Sequence, residues 1–220
     1  MATVTESRTE WNVRDLFQRF GPISVGRIRQ RPEPGTANEQ DAIAVNDSDK
    51  CLCELVDGIL VEKAMGARES LLAGLILTAI NQFVLPRKLG YVLGADGLVR
   101  LAHGLLRIPD VCFIAANRAP GRRFPETPIC PLIPNLVVEV LSAGNTKKEM
   151  AEKLDDYFRA GVELVWYVDP AKKTVRVYIS LEDSRLVRES GTIDGGIVLP
   201  GFTLRLRDLF ADPLAEDQLP

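Results

Sequence analysis

The chain has 220 residues, of which 46% are hydrophobic, 26% charged and 6% aromatic. These are the proportions of an ordinary globular protein, so disordered, collagen-like and coiled-coil chains are excluded. Because 27 Lys and Arg stand against 30 Asp and Glu, the net charge is −3, which excludes a globally basic DNA-coating protein. Any nucleic-acid partner must then be bound through a local basic patch.

The cysteines and the apolar segments indicate the compartment. The four cysteines include no C-x-x-C pair and are too few for a disulfide scaffold, so we expect them to be reduced. The first twelve residues contain no apolar signal segment. The longest apolar stretch, Leu71 to Leu85, is interrupted by polar residues and is too short to span a bilayer. These features predict a cytoplasmic protein that does not enter a membrane.

The first 50 residues are expected to form an N-terminal extension and linker. A short amphipathic helix is predicted over Val13 to Phe20, where apolar residues recur at helical spacing. The stretch from Arg29 to Asp49 is rich in Pro, Gly, Asn and acidic residues, which is typical of a linker. From Cys51 onward the hydrophobic pattern becomes dense, so we expect the main domain over residues 51–210 and a C-terminal tail over 211–220.

The main domain begins with a β-hairpin and continues as strands and helices. Asp57-Gly58 is a strong two-residue turn signal between two apolar runs, and Glu54 lies on the first of these strands or at its edge. Pro86 ends a long apolar helix, and five prolines make residues 116–134 a long loop. This order indicates an α/β fold with helices on a mixed β-sheet. The predicted strands are 52–55, 59–62, 91–93, 98–101, 105–114, 135–141, 164–168, 174–179, 186–189, 196–199 and 203–206, and the predicted helices are 68–85 and 146–160.

Two acidic residues lie in the middle of apolar strands. Glu139 is surrounded by Leu and Val, and a buried carboxylate must be paired, protonated or bound to a cation. Asp110 follows Pro109 in a second, mostly apolar strand. Two carboxylates brought together repel unless a metal lies between them, and such oxygen ligands suit Mg²⁺ or Mn²⁺ better than zinc. The pattern therefore favours a metal-binding pair over a structural salt bridge, with Glu54 either a third acid of the site or a surface charge on an edge strand.

Lys153 lies on the border of the buried face of the predicted helix 146–160. At 100° per residue it falls about 60° from Met150 and about 40° from Tyr157, two residues of the buried stripe. Its ammonium group therefore either reaches a site at the sheet or extends along the helix edge into solvent. Helical geometry leaves both alternatives open.

Five short motifs, in a fixed order along the chain, give the sequence a family resemblance. Pro109-Asp110, followed 29 residues later by Glu139 on a buried strand, resembles the PD-(D/E)XK restriction-endonuclease-like superfamily. Together the five motifs are similar to the Uma-type family of bacterial restriction endonucleases. They are Glu54-Leu55-Val56-Asp57-Gly58, Ile108-Pro109-Asp110-Val111, Val138-Glu139-Val140-Leu141-Ser142, Lys153-x-x-x-Tyr157-x-x-x-Gly161-Val162 and Val165-Trp166-Tyr167-Val168-Asp169-Pro170.

The resemblance implies a restriction-endonuclease-like mixed β-sheet flanked by helices, and a Mg²⁺-dependent phosphodiesterase in which Mn²⁺ is the alternative ion. Asp110 and Glu139 would be the metal ligands, and Glu54 would be an auxiliary acid. The usual lysine of the superfamily lies two residues after the second acid, where this chain has Leu141. In the Uma-type family a helix lysine replaces it, and Lys153 matches that position.

The hypothesis from the sequence is therefore an endonuclease-like hydrolase of nucleic-acid phosphodiester bonds, with DNA as the expected substrate. Candidate phosphate contacts are Lys147, Lys148, Arg122 and Arg123, the last two on the Pro-rich loop that joins the Asp110 strand to the Glu139 strand. The alternative is a catalytically silent module that keeps the fold for dimerisation or partner binding. The acidic composition and Leu141 favour this alternative, and a homodimer is compatible with both.

Overall fold

A computed structural model describes residues 11–48, 51–64 and 66–212 of the chain. Residues 1–10 of the predicted extension and 213–220 of the predicted tail lie outside the described residues. The helices are α1 (Val13–Phe20), α2 (Glu39–Ser48), α3 (Ala67–Arg87), α4 (Lys147–Ala160) and α5 (Leu206–Phe210). The strands are β1 (Cys53–Val56), β2 (Ile59–Glu62), β3 (Gly90–Leu93), β4 (Val99–Ala102), β5 (Leu105–Arg107), β6 (Val111–Ala115), β7 (Leu136–Val140), β8 (Leu164–Asp169), β9 (Thr174–Tyr178), β10 (Ser184–Arg188), β11 (Thr192–Gly195) and β12 (Leu199–Arg205).

The main sheet has six strands in the order β10-β9-β8-β7-β6-β3. β7 and β8 are parallel, and the other neighbouring pairs are antiparallel, so the prediction of a mixed sheet is confirmed. α3 packs on one face, near Trp166, and α4 packs on the other, where Tyr157 is fully buried. β7 is buried along its whole length because helices cover both of its faces and strands flank it on either side.

The smaller sheet has the order β2-β1-β5-β4 and is connected to the main sheet between β5 and β6. The single strand predicted over residues 105–114 is wrong, because β5 ends at Arg107 and β6 begins at Val111 in the other sheet. Pro109 has no N–H to donate to a neighbouring strand, so pairing is interrupted there. Asp110 therefore lies at the junction of the two sheets.

The N-terminal segment packs on the β1–β2 hairpin. The linker predicted over residues 29–49 is wrong in its second half, where residues 39–48 form α2. This helix begins with a reciprocal cap, because the Asn38 side chain accepts the Asp41 N–H while the Asp41 carboxylate accepts the Asn38 N–H. Before it, Arg27 donates to both carboxylate oxygens of Glu149 on α4, at 3.0 and 2.7 Å. The apolar contact joins Leu16, Phe20, Ile23 and Ile28 to Val56, Ile59 and Val61.

The end of α3 and the strands near the C-terminus also differ from the prediction, and β11 was not predicted. α3 continues one residue past Pro86, to Arg87, and is followed by the capping residue Lys88, which has a left-handed backbone. Among the described helices, α3 alone is long and apolar enough to cross a membrane by length and composition, which is weak evidence because core helices of soluble proteins pass the same test. The strand predicted over residues 196–199 is instead a turn, since Gly196 has a φ of 54°, and β12 begins at Leu199.

Candidate active site

The strand register places Asp110 opposite Glu139. β6 and β7 are antiparallel and pair Val111 with Val138. The residue before Val111 therefore faces the residue after Val138, which places Asp110 opposite Glu139. Residues facing each other in this way have Cα atoms about 4.5–5.5 Å apart and side chains on the same face of the sheet. That face is the one covered by α4. Both acids are buried, with 7% of Asp110 and 4% of Glu139 exposed.

Asp110 is held by a main-chain donor and a lysine. Its Oδ2 accepts the N–H of Val140 at 2.6 Å, and its Oδ1 lies 2.8 Å from the ammonium nitrogen of Lys63, which also donates to the Ala95 carbonyl at 3.2 Å. The side chain of Lys63 is only 4% exposed. The sequence analysis missed Lys63, although strand alternation could have found it. Glu54 pairs with Val61 across the hairpin, so Lys63, two residues after Val61, lies on the same face as Glu54.

Lys153 lies among the acids. Its ammonium nitrogen is 2.8 Å from Glu54 Oε1 and 3.1 Å from Glu139 Oε1, and the residue is 3% exposed. The alternative in which this side chain extends into solvent is therefore wrong. One turn further along α4, the Tyr157 hydroxyl donates to Glu139 Oε1. Both donors reach the same oxygen, and none of the described residues donates a hydrogen bond to Glu139 Oε2.

Glu54 is a buried acid of β1, so the alternative of a surface charge is also wrong. It is 2% exposed, and its Oε1 accepts the Ile108 N–H at 3.1 Å. Its Oε2 lies 2.8 Å from the guanidinium of Arg107, which also pairs with Asp156 on α4. The sequence analysis missed Arg107 in this role, because the structure of residues 105–114 as two strands in two sheets was not foreseen. Glu54 thus shares Lys153 with Glu139 and connects the hairpin to α4.

The charges of this cluster do not balance. Burial raises the pKa of the Glu139 carboxyl; Lys153 opposes the effect, and the Asp110 carboxylate adds to it. Burial also disfavours ionised Glu54, but Lys153 and Arg107 outweigh burial and hold its pKa at about 2. Four carboxylates face three cations, so full ionisation gives a net charge of −1. The carboxylates are Glu54, Asp110, Glu139 and Asp156, and the cations are Lys63, Arg107 and Lys153.

A cavity of about 740 Å³ lies at the end of β7 that carries Glu139. Leu141, which occupies the usual position of the superfamily lysine, lines this cavity beside Tyr167. The N-terminus of α4 contributes Thr146 and Lys147 to the lining, and the start of α3 contributes Arg68. Polar groups from three elements therefore surround an opening beside Leu141, two residues after Glu139, while the buried acids and Lys153 are not part of its lining.

The four candidate phosphate contacts lie in two different places. Lys147 and Lys148 are exposed at the start of α4, and Lys148 donates to the Gln18 carbonyl. Arg122 and Arg123 are also exposed, but their loop leaves β6 at Ala115, at the far end of the strand from Asp110. Five residues of extended strand span about 17 Å. The lysine pair thus lies between one and two turns before Lys153 on α4, whereas the arginine pair lies at the opposite end of β6 from Asp110.

The six-stranded mixed sheet, with helices on both faces and acids at one end of its central strands, is a restriction-endonuclease-like fold. A crystal structure described as "a putative nuclease belonging to DUF820 from Anabaena variabilis ATCC 29413" is similar to it, with a TM-score of 0.65 and 18% sequence identity, over 73% of this chain and 90% of that chain. At this identity the likeness is evidence for the fold. The model of the Uma2 family, described as "Putative restriction endonuclease", matches residues 39–207, and the chain belongs to this family. No curated protein matches the chain.

Proposed function

We propose that the protein is a metal-dependent endonuclease that hydrolyses phosphodiester bonds of nucleic acid, with DNA as the substrate. The observation that supports this most directly is the register of β6 and β7, which pairs Val111 with Val138 and so brings Asp110 opposite Glu139 on the face covered by α4. A salt bridge that served stability alone would balance its charges, whereas this cluster has one carboxylate more than it has cations. The excess favours the binding of a further cation.

The donor set fits a hard divalent ion. Asp110 and Glu139 offer carboxylate oxygens, which Mg²⁺ and Mn²⁺ prefer, and Glu139 Oε2 takes no hydrogen bond from the described residues. These two residues would hold the ion. When bound, such an ion lowers the pKa of a coordinated water and offsets the negative charge that develops on the phosphate.

The chain's own residues keep the acids in place and supply positive charge. Lys153 fixes Glu54 and Glu139 relative to each other, because one ammonium group contacts both. Arg107 keeps Glu54 ionised, which in turn keeps Lys153 charged. We propose that the Lys153 ammonium meets the phosphate when its charge increases in the transition state, where a preorganised cation acts most strongly. Tyr157 donates to the same Glu139 oxygen as Lys153 and restricts the rotation of this carboxyl.

Nucleic acid would approach through the cavity at the start of α4. Lys147 and Arg68 line it, and exposed cations beside a groove attract a phosphate backbone without selecting a sequence. This route leaves Arg122 and Arg123 with at most a remote contact. We also propose that the protein acts in the cytoplasm and apart from membranes, which suits its four free cysteines.

The test is cleavage of supercoiled plasmid, and of single-stranded DNA and RNA oligonucleotides, in Mg²⁺ or Mn²⁺. We expect the wild type to cleave DNA when metal is present and to show no cleavage in EDTA. We expect Asp110→Asn to be inactive in both conditions. Asp183→Asn, which changes an exposed acid of a turn, is the matched control and should cleave like the wild type. Failure of the wild type to cleave any of these substrates while it binds metal would contradict the proposal.

A catalytically silent module is the second candidate. The observation that favours it is that Lys63 and Lys153 already contact Asp110 and Glu139 without any metal. In that case the fold would serve dimerisation or partner binding, and neither Mg²⁺ nor Mn²⁺ would bind at the acids. A metal-binding isotherm of the wild type beside Glu139→Gln separates the two candidates, because only a metal site loses affinity in the variant.

A further inference from the structure

The two faces of the β1–β2 hairpin carry different chemistry. Glu54 and Lys63 point toward the carboxylate cluster. On the opposite face, Cys53 pairs directly with Glu62 across the hairpin, and Cys51 lies two residues before Cys53. Residues that face each other, or that are two apart on one strand, point to the same side of a sheet. Cys53 and Glu62 therefore share the face that is turned away from the candidate active site, and the Cys51 sulfur lies beside them.

The three ligand atoms are already close together. The sulfur atoms of Cys51 and Cys53 and a carboxylate oxygen of Glu62 lie within 4.8 Å of one another. Cys53 is fully buried, while Cys51 and Glu62 are half-buried, so the group opens to solvent on one side. Asn46 of α2 fixes the strand here, since its side chain accepts the Cys53 N–H at 2.7 Å and donates to the Cys53 carbonyl at 3.1 Å.

We propose that Cys51, Cys53 and Glu62 form a second metal site, which binds a thiophilic divalent cation of the zinc class. Thiolate ligands select soft or borderline ions, and Zn²⁺ accepts a mixed set of sulfur and carboxylate ligands. Three protein ligands leave one tetrahedral position for water on the open side. The site is distinct from the Asp110 and Glu139 pair in both ligand type and position.

A nearby arginine balances the charge. The guanidinium of Arg29 lies 3.7 Å from the Cys51 sulfur and 3.2 Å from the Glu62 carboxylate. Two thiolates and one carboxylate carry three negative charges, and Zn²⁺ with Arg29 carries three positive charges. Hydrogen bonds from outer groups to metal ligands orient them and tune the site. The site with Zn²⁺ bound is therefore neutral, as a partly buried group of ions requires.

Without metal the thiols are protonated. Burial raises the pKa of Cys53 to about 12 and also raises the pKa of Cys51. Metal binding must then displace protons, so Zn²⁺ affinity is expected to rise with pH. The Asp110 and Glu139 pair contains no thiol, so ion binding there releases no thiol proton. The thiolate ligands therefore allow metal binding at the second site to be distinguished from metal binding at the acids.

The first test uses the full chain, reduced and stripped of metal with EDTA. We expect Co²⁺ to produce a sulfur-to-cobalt charge-transfer band in the near ultraviolet, and Zn²⁺ to abolish it. Cys51→Ser and Cys53→Ser should each lower Zn²⁺ affinity by more than about 100-fold, since even the outer partners of metal ligands are worth roughly 10–100-fold. Cys130→Ser, which removes a buried thiol outside the cluster, should change affinity by no more than about twofold. Absence of the band in the wild type, or wild-type affinity in Cys53→Ser, would overturn the proposal.

The second test needs no variant and so does not depend on the folding of one. Cys51 is the half-exposed cysteine of the four, and its alkylation by iodoacetamide can be followed by peptide mass spectrometry. We expect Zn²⁺ to slow this alkylation at least about tenfold, because a metal-bound thiolate is shielded, while Mg²⁺ should leave the rate unchanged. Equal alkylation rates with and without Zn²⁺ would reject the site.

Discussion

The two ends of the β6–β7 pair differ in what they carry. One end brings together Asp110 and Glu139 with three buried cations. The other end carries the Pro-rich loop with Arg122 and Arg123, and Arg122 donates to the Lys88 carbonyl at the edge of the sheet. The loop is the covalent connection between the strands of the two acids, yet it lies at the far end of both. The loop joins two neighbouring strands, but the antiparallel direction of those strands places the two acids at the end opposite the loop.

The largest expected effect is at the acidic end. Glu139→Gln should reduce cleavage by about 10³-fold or more. Residues that act together in catalysis depend on one another, so the loss of any one of them removes most of the activity. The stability of the metal-free protein should not fall, because burial raises the pKa of the Glu139 carboxyl, and a carboxyl whose pKa is raised by folding opposes folding when it is ionised. Single-turnover cleavage and urea denaturation measure the two effects. A variant that cleaves like the wild type would remove Glu139 from the chemistry.

Lys153→Met should show the next largest effect, on both stability and turnover. It leaves Glu54 and Glu139 without their shared ammonium group, and breaking a buried ion pair by removing one partner costs about 3–5 kcal/mol. Turnover should fall more than substrate binding, since the charge that Lys153 meets increases mainly in the transition state. Lys172→Met, at an exposed lysine, is the control and should change unfolding by no more than about 0.5 kcal/mol. An equal response of the two variants would mean that Lys153 contributes no more than a surface charge.

A smaller effect is expected from pH through Glu54. Its pKa of about 2 in the folded protein, set by Lys153 and Arg107 against burial, lies below the usual value of 4.5. A lowered carboxyl pKa contributes stability above pH 4.5, and this contribution is lost as the pH falls toward 2. It amounts to about 3 kcal/mol, from about 1.4 kcal/mol per pKa unit.

The wild type and Glu54→Gln should be compared by urea denaturation between pH 6 and pH 2. We expect the difference in unfolding free energy to narrow steadily below pH 4.5. Glu182→Gln, at an exposed glutamate, serves as the control, and its difference from the wild type should stay near zero throughout. A constant gap between the wild type and Glu54→Gln would mean that Glu54 does not titrate as its contacts require.

The smallest effect is expected at the loop end. Arg122→Ala with Arg123→Ala should change cleavage by less than about threefold and stability by about 0.5 kcal/mol or less, as for most exposed positions. Lys147→Ala should instead weaken DNA binding and reduce its salt dependence, since each phosphate contact contributes to the salt slope. Filter binding at several salt concentrations compares the two. If the arginine variant weakened DNA binding more than Lys147→Ala, the loop end of the β6–β7 pair, and not the acidic end, would be the one that contacts DNA.

The acids themselves could be predicted from local pattern. Glu139 lies in the middle of an apolar strand and Asp110 in an apolar stretch of the sequence, and burial of such a group requires a compensating partner. Lys153 could be placed only on a border by helical geometry, because 100° per residue fixes the direction of the Cα–Cβ bond and leaves the long side chain free. The structure shows the end of that side chain between two buried carboxylates.

The cations Lys63 and Arg107 were missed for a physical reason. Their partners depend on the change of sheet at Pro109: Lys63, just after β2, meets Asp110, and Arg107, the last residue of β5, meets Glu54 of β1. The register of the hairpin around Asp57-Gly58 contained the signal for Lys63. α2 was missed because it is a polar helix with few apolar residues, and its cap at Asn38 was obscured by the surrounding linker-like composition.

The contact of the N-terminal segment with the hairpin has a practical consequence. The family match begins at residue 39, but residues before it cover Val56, Ile59 and Val61, and Arg27 is the partner of the buried Glu149. A chain shortened to the matched residues would present an apolar strand surface to water and leave a carboxylate without its guanidinium. Such a product should aggregate on expression, because an exposed apolar strand favours self-association. We therefore expect the folding unit to include residues that precede the family match.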